Sequence, residues 1–342
     1  MSFKINNRRY TGSKYKISNW IRELILENCK NSNSFCDIFA GTGIVTATML
    51  QDYKTFYIND FLYSNEIIYN AFFSKEKFDY EILFKYYRIF RSIDISGIEE
   101  NYVSLNYGDK YFSKEDALKI GYIREIIEKN KNEMNYREYC ILLASLIYSF
   151  DRCANTVGHY EAFFQGKTIR SAFEYELIDP LIDENDNRTI KITRMDANIL
   201  APLINTDIVY IDPPYSSRQY SRFYHVIETI IKWDKPELYG IAMKPKPENM
   251  SEYCNSKALD AFKELIFSLN VKYIVVSYNN TYNSKSKSSE NKMSLDEILQ
   301  VLNKKGNTKV YNKEHMAFNA GKTELNGHME YVFITEVGVN NE

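Results

Sequence analysis

Little in this chain points to a metal, a disulfide framework or a membrane. Its five cysteines, Cys29, Cys36, Cys140, Cys153 and Cys254, form no CxxC pair and are odd in number. That argues against a cysteine zinc site and a disulfide scaffold, and makes a reducing compartment the default. Four histidines without a spaced partner argue equally against a histidine zinc site. No run is long and apolar enough to span a bilayer. Met1 to Tyr10 lacks the apolar stretch of a signal peptide, so a soluble, cytoplasmic protein is expected. An excess of either charge is also missing: 43 Lys+Arg face 45 Asp+Glu, a net charge of -2. Coating nucleic acid by bulk charge is disfavoured, while local basic patches stay open. No internal repeat is present.

The 342 residues are 44% hydrophobic and 26% charged, which is globular composition with room for one large domain or two smaller ones. The 29 tyrosines each offer a stacking face and a polar tip, suited to a core or a wet interface. Ile17, Trp20, Ile21, Leu24 and Ile25 make one apolar helical stripe. Phe35 to Phe39 reads as a buried strand running into Ala40-Gly41-Thr42-Gly43 and a helix from Ile44 to Leu50. A second strand, Thr55 to Ile58, ends at Asn59-Asp60. Strand, glycine turn, helix, strand and acidic residue open a parallel nucleotide-binding α/β unit, and right-handed crossovers continue it as a doubly wound sheet.

Residues 75–185 break this pattern and read as a largely helical insertion, with an apolar helix from Tyr139 to Phe150 expected to pack on the core. The sheet domain is then 1–74 plus 186–342. Its later strands are expected at Thr189–Thr193, Asp207–Ile211 and Val271–Val276, with amphipathic helices at Phe223–Trp233 and Lys257–Leu269. Asn279 to Lys292 reads as a mobile loop rich in Asn, Ser and Lys. Ser294-Leu295-Asp296-Glu297 is a capping box. Thr308–Tyr311 and Tyr331–Thr335 are expected to close the sheet as an antiparallel pair.

Asp212-Pro213-Pro214-Tyr215 follows a predicted strand, where open α/β sheets bind ligands. Two consecutive prolines remove two N–H groups and stiffen the turn, leaving their carbonyls as acceptors. An acidic side chain, a carbonyl and an aromatic face together suit a planar group with an exocyclic amine. Asp212 accepts one N–H, the Pro213 carbonyl accepts the other, and Tyr215 stacks on the ring. Two in-plane acceptors localise the amine's lone pair and stabilise the charge that develops on nitrogen. On this reading Tyr215→Ala costs more than Tyr215→Phe or Tyr215→Trp. Alone, the motif also fits a rigid surface turn.

The electrophile has its own candidates. Asp37-Ile38-Phe39-Ala40-Gly41-Thr42-Gly43 lacks the third glycine of a dinucleotide fingerprint and the lysine of a P-loop. Asp37 is placed to meet an ammonium, and Asp60 stands where ribose hydroxyls are held. Acidic residues at both strand ends disfavour a polyphosphate and favour a cationic nucleoside, a description S-adenosylmethionine fits. Tyr10-Thr11-Gly12-Ser13-Lys14 precedes the first helix; Lys14 offers itself to a carboxylate and Gly12 to close contact. Asp196 offers an acceptor for an adenine amino group. Taken singly, the glycine loop is also a tight turn, the Lys14 segment a helix lead-in and Asp196 a plain strand end.

In their order, and at their strand ends, these pieces resemble the adenine-N6 DNA methyltransferases, in the subgroup that places an N-terminal cofactor motif first. Tyr10 to Lys14 is similar to that motif, Asp37 to Gly43 to the main cofactor loop with Phe39, Thr42 and both glycines in it, and Asp212 to Tyr215 to the catalytic loop. Arg152-Cys-Ala-Asn155-Thr-Val-Gly158-His159-Tyr160 resembles a loop of the family's insertion that lies against DNA, and Arg218 and Tyr220 fall in the family's continuation after the catalytic loop. The resemblance implies a Rossmann-like S-adenosylmethionine-dependent methyltransferase sheet, an inserted target recognition domain and a flipped-out adenine in double-stranded DNA. It also implies a restriction-modification system whose endonuclease acts separately. Arg8, Arg9, Lys14 and Lys16, then Arg222, Lys285 and Lys287, are further basic candidates for phosphate contacts. His225 reads as a packing residue. Two other readings keep parts of this picture: an RNA amino-group methyltransferase, and a DNA-binding regulator that has lost turnover. Asp212, Gly41 and Gly43 argue against the last.

Overall fold

The computed structural model describes residues 2–166, 168–280, 290–314 and 328–338. Residues 281–289, most of the Ser/Lys-rich loop with Lys285 and Lys287, lie outside the described residues. In chain order the elements are α1 (Ser18–Asn28), β1 (Ser34–Asp37), α2 (Ile44–Met49), β2 (Thr55–Asp60), α3 (Tyr63–Phe73), α4 (Tyr80–Arg91), α5 (Tyr102–Tyr107), α6 (Lys114–Lys129), α7 (Tyr136–Cys153), β3 (Thr189–Arg194), α8 (Ala197–Leu200), β4 (Ile208–Ile211), α9 (Tyr220–Phe223), α10 (His225–Lys232), α11 (Ala258–Ser268), β5 (Tyr273–Asn279), α12 (Leu295–Asn303), β6 (Gly306–Glu314) and β7 (Met329–Val337). None of these helices is long and apolar enough to cross a membrane. The chain divides into two compact units. One joins Met1–Thr11, Leu62–Asp186 and Ser221–Glu248; the other joins Gly12–Phe61, Asn187–Tyr220 and Asn249–Glu342.

The second unit is built on a seven-stranded sheet of order β3-β2-β1-β4-β5-β7-β6. Strands β1 to β5 are parallel, and β7 runs antiparallel to both β5 and β6. The expected α/β sheet with its closing antiparallel pair is present. Strand β4 is buried along its whole length, as a central parallel strand covered on both faces must be. On one face Cys36, Val209, Ile211, Ile274, Val276 and Phe333 pack beneath Phe262, Leu265 and Ile266 of α11 and Ile298 and Leu302 of α12. The period-2 alternation puts Asp37, Tyr210, Ser277 and Glu330 on the opposite face. The Tyr210 hydroxyl donates to Ser277 Oγ at 2.8 Å there. Ser294 starts α12 with the expected capping box. The sheet grows outward in opposite directions from β1 and β4, so its reversal point lies between their carboxyl ends.

The first unit is helical. Helix α7 is buried on nearly every side and begins with a box between Asn135 and Glu138, as a helix at the centre of a bundle requires. This unit is larger than the 75–185 insertion. Phe3 pairs with the chain at Leu177 and Asp179 through two backbone hydrogen bonds of 2.8 Å. Helix α3 receives Glu228 of α10 at its first turn, through Tyr63 and Ser64. Buried Arg124 donates to the carbonyls of Ile230 and Ile231 at the other end of α10. These links bring residues 1–11, 62–74 and 221–248 into the unit. Trp233, at φ 60, ends α10.

Candidate active site

Asp37, the last residue of β1, is 1% exposed. Its Oδ2 accepts the Thr46 hydroxyl at 3.0 Å, and its Oδ1 accepts from no described residue. Burial, with Asp212 and Asp60 adding like charge, pushes its carboxyl up to about 7 against the pull of Thr46. The loop beyond it turns through Gly41 and Gly43, at φ 53 and 74, where a side chain would be strained. Gly41 donates its N–H to Asp60 Oδ2 at 2.9 Å, so the two strand ends are tied together. Thr42 is buried, and Phe39 stands edge-on to Tyr253 at 5.1 Å.

A residue not singled out from the sequence braces this region. Buried Asn59 donates to the carbonyls of Ile38 and Met195, both at 3.0 Å, and accepts from Met195 N at 3.0 Å and the Thr193 hydroxyl at 2.8 Å. It joins the ends of β1, β2 and β3. Asp196, just beyond, caps α8 by accepting from Asn198 N at 2.8 Å.

Across the reversal point, Asp212 follows β4. Its Oδ1 lies 2.9 Å from Lys14 Nζ and accepts the Tyr215 hydroxyl. Lys14 is 5% exposed. Its ammonium also donates to the Tyr215 oxygen and lies 3.0 Å from Glu330 Oε1. Burial works against that ammonium, but Asp212 and Glu330 outweigh it and hold Lys14 above its usual value. Asp212 is raised by burial, with Glu330 adding to the shift and Lys14 opposing it. The sequence offers Lys14 to a ligand's carboxylate; in the fold, two carboxylates of the chain itself occupy it.

Pro213 is buried and Pro214 half-buried. Half-buried Tyr215 turns its hydroxyl into the charged cluster and sets its ring edge-on to Tyr278 of β5 at 4.8 Å. Lys292 N donates to the Tyr215 carbonyl at 2.8 Å. Gly12 adopts φ 80, and a Cβ there would sit 3.0 Å from the Tyr220 hydroxyl, so close packing requires glycine. Gln219 grips Ser251 through both ends of its amide, at 2.7 and 2.9 Å, and Cys254 Sγ donates to the Arg218 carbonyl.

The remaining candidates, Lys16 apart, lie in the first unit. Tyr10 stacks on Tyr224 at 4.7 Å. Arg152 is exposed, and half-buried His159 stacks on Phe223 at 4.5 Å. Asn155 is a loop brace, donating to the carbonyls of Lys110 and Phe164. Tyr160 does not reach a surface: it is 1% exposed and its hydroxyl donates to Asp151 at 2.9 Å. The N-terminal basic cluster is likewise divided. Arg8 is buried against Asn65, Arg9 is tied to Asp151 and Ala154, and Lys16 alone of the four is exposed. Arg222 donates to the Pro245 carbonyl at 2.7 Å. His225 is buried, with its ring nitrogens 2.9 and 2.8 Å from the carbonyls of Arg222 and Ala242, which is a packing arrangement.

Comparison with known proteins places this geometry in a lineage. A family model described as D12 class N6 adenine-specific DNA methyltransferase matches residues 10–289. The chain is 31% identical over 340 residues to modification methylase LlaI of Lactococcus lactis subsp. lactis, across 93% of this chain and 53% of that protein. It is 33% identical over 348 residues to type II methyltransferase M.FokI of Planomicrobium okeanokoites, across 95% and 52%. It thus spans about half the length of these two relatives. With type II methyltransferase M.NlaIII of Neisseria lactamica it shares 31% over 340 residues, across 96% of this chain and 98% of that one. The chain belongs to the D12 class N6 adenine-specific DNA methyltransferase family.

Proposed function

We propose that this chain transfers the methyl group of S-adenosylmethionine to N6 of an adenine flipped out of double-stranded DNA at a specific sequence. It serves as the cytoplasmic modification member of a restriction-modification system, with the endonuclease acting separately. The carrying observation is the pairing, across the reversal point of the sheet, of Asp212 after β4 with the buried Asp37 that ends β1. Relatives named type II methyltransferases support the restriction-modification setting.

The residues fit the cofactor. A buried carboxylate oxygen without a described donor calls for a cation and repels a phosphate. When bound, S-adenosylmethionine supplies a methyl group on a positively charged sulfur, open to attack by a nucleophile. Asp37 is assigned to its ammonium, Asp60 to the ribose hydroxyls and Asp196 to the adenine amino group, with Phe39 and the Gly41–Gly43 turn as the surface it approaches. Tyr10 and Gly12 belong to this set as lead-in residues. Asp212 and the Pro213 carbonyl accept the two N–H bonds of the target amine and hold its lone pair out of conjugation. Pro214 stiffens the turn, and the Tyr215 ring supports the extruded base. The inserted helices form the target recognition region, with Arg152, Asn155, His159, Arg218 and Tyr220 toward DNA; burial removes Tyr160 from direct contact.

The test is transfer of tritium from methyl-labelled cofactor to unmethylated plasmid DNA and, in parallel, to ribosomal RNA. Label recovered as N6-methyladenine from DNA is the expected result. Folded, cofactor-binding protein that labels no DNA refutes the proposal, and label in RNA alone establishes the RNA reading instead.

A further inference from the structure

Glu330 stands outside the span matched by the family model, which ends at residue 289. It is 2% exposed, near the start of β7 and opposite Asn279 of β5 and Lys313 of β6. Its Oε1 lies 3.0 Å from Lys14 Nζ and accepts the Tyr215 hydroxyl at 3.2 Å. Those are the same two donors that Asp212 holds. One ammonium and one hydroxyl are therefore shared by two carboxylates, Glu330 buried and Asp212 half-buried.

Asp212 meets both donors through Oδ1, which leaves Oδ2 to accept the N–H of a target amine. How strongly that carboxylate accepts depends on how much of its charge Lys14 neutralises. Glu330 touches the same two donors. We propose that Glu330 is a positioning residue, the second acceptor that shares Lys14 and Tyr215 so that Asp212 keeps its charge for the substrate amine. Without it, Asp212 is the one carboxylate left against Lys14 among the described residues, and the acceptor is weakened. The inference rests on the assignment of Asp212 proposed above.

Enzyme in excess over unmethylated plasmid DNA, with tritium-labelled methyl donor, measures the single-turnover rate. Calorimetry gives the cofactor Kd separately. Glu330→Gln keeps the shape and removes the charge; its rate should fall about 10- to 100-fold while the cofactor Kd moves less than about threefold. Glu330→Asp keeps the charge one methylene further back and should fall between wild type and Glu330→Gln. A wild-type rate in Glu330→Gln overturns the inference, as does a Glu330→Asp rate no better than that of Glu330→Gln, because then keeping the charge brings no benefit. Should Glu330→Gln fail to fold, Glu330→Asp decides: a reduced rate at unaltered cofactor Kd supports the inference, and a wild-type rate overturns it. Wild-type protein that binds cofactor and labels no DNA is a distinct result, which removes the methylation reading and this inference with it.

Discussion

Glu228 caps a helix to which it does not belong: its Oε1 accepts the amide N–H of Ser64, in the first turn of α3, at 2.8 Å. Its Oε2 takes the neighbouring Tyr63 amide at 3.0 Å. The N-cap position of α3 is Leu62, whose side chain has no oxygen to offer. A carboxylate reaching in from α10 therefore does what Ser or Asp does locally elsewhere. Glu228→Ala would orphan the buried Ser64 amide and the part-buried Tyr63 amide and should lower the unfolding free energy by about 2–4 kcal/mol. Urea denaturation should show an earlier midpoint at unchanged slope; an unmoved midpoint would contradict the cap.

Asp37 is held at a cost. An unfolded aspartate titrates near 4, and the folded one near 7 because it is buried. Between those values the folded chain holds the extra proton, so this group makes stability fall as pH rises from about 4 to 7. Asp37→Asn should flatten that slope and raise stability at pH 8 by about 1–3 kcal/mol. The same change should weaken cofactor binding by about tenfold or more. A variant that loses stability at pH 8, or binds cofactor normally, would contradict the assignment.

Cofactor binding should itself depend on pH through this carboxyl. An ammonium ligand needs the ionised form, so affinity should rise as pH climbs toward about 7, until the ligand's own amino group starts to lose its proton near about pH 8. Calorimetry in buffers of different ionisation enthalpy should detect a proton released on binding near pH 6, where that amino group is fully protonated. Proton uptake instead of release would place another group at the ammonium.

Asp212→Ala should reduce single-turnover methylation by at least about 100-fold, with cofactor binding only modestly weaker. Tyr215 carries more than a stacking face, because its hydroxyl bonds to both Asp212 and Glu330. Tyr215→Phe should therefore cost about tenfold, and Tyr215→Ala about 100-fold through loss of the ring as well. Full activity in Tyr215→Phe would show that the hydroxyl network is dispensable.

Asn59 makes four hydrogen bonds that no other residue type reproduces in its place. Asn59→Ala should destabilise the protein by about 2–4 kcal/mol. Asn59→Asp should be at least as harmful, since it loses two donors and adds charge beside Asp60. Thermal unfolding compares the two, and a stable Asn59→Asp would refute the donor roles.

The local pattern of residues determined much of this protein. Alternation and β-branched runs set where strands lie, glycines with positive φ set the loop after β1, and the order of acidic residues at strand ends marked both sides of the reversal point. Those are short-range properties, decided by backbone sterics and by which face of an element is apolar. What the charged residues touch was decided only by tertiary structure. Glu330 meets Tyr215 across 115 residues because β7 inserts antiparallel beside β5, a pairing that no local pattern specifies. The same holds for Lys14, legible as a free cation and found buried between two carboxylates, and for Tyr160, legible as a loop tyrosine and found in the core. Burial and partner choice follow from the register of distant strands and the packing of distant helices, because a charge or hydroxyl leaves water only where the completed fold supplies its complement.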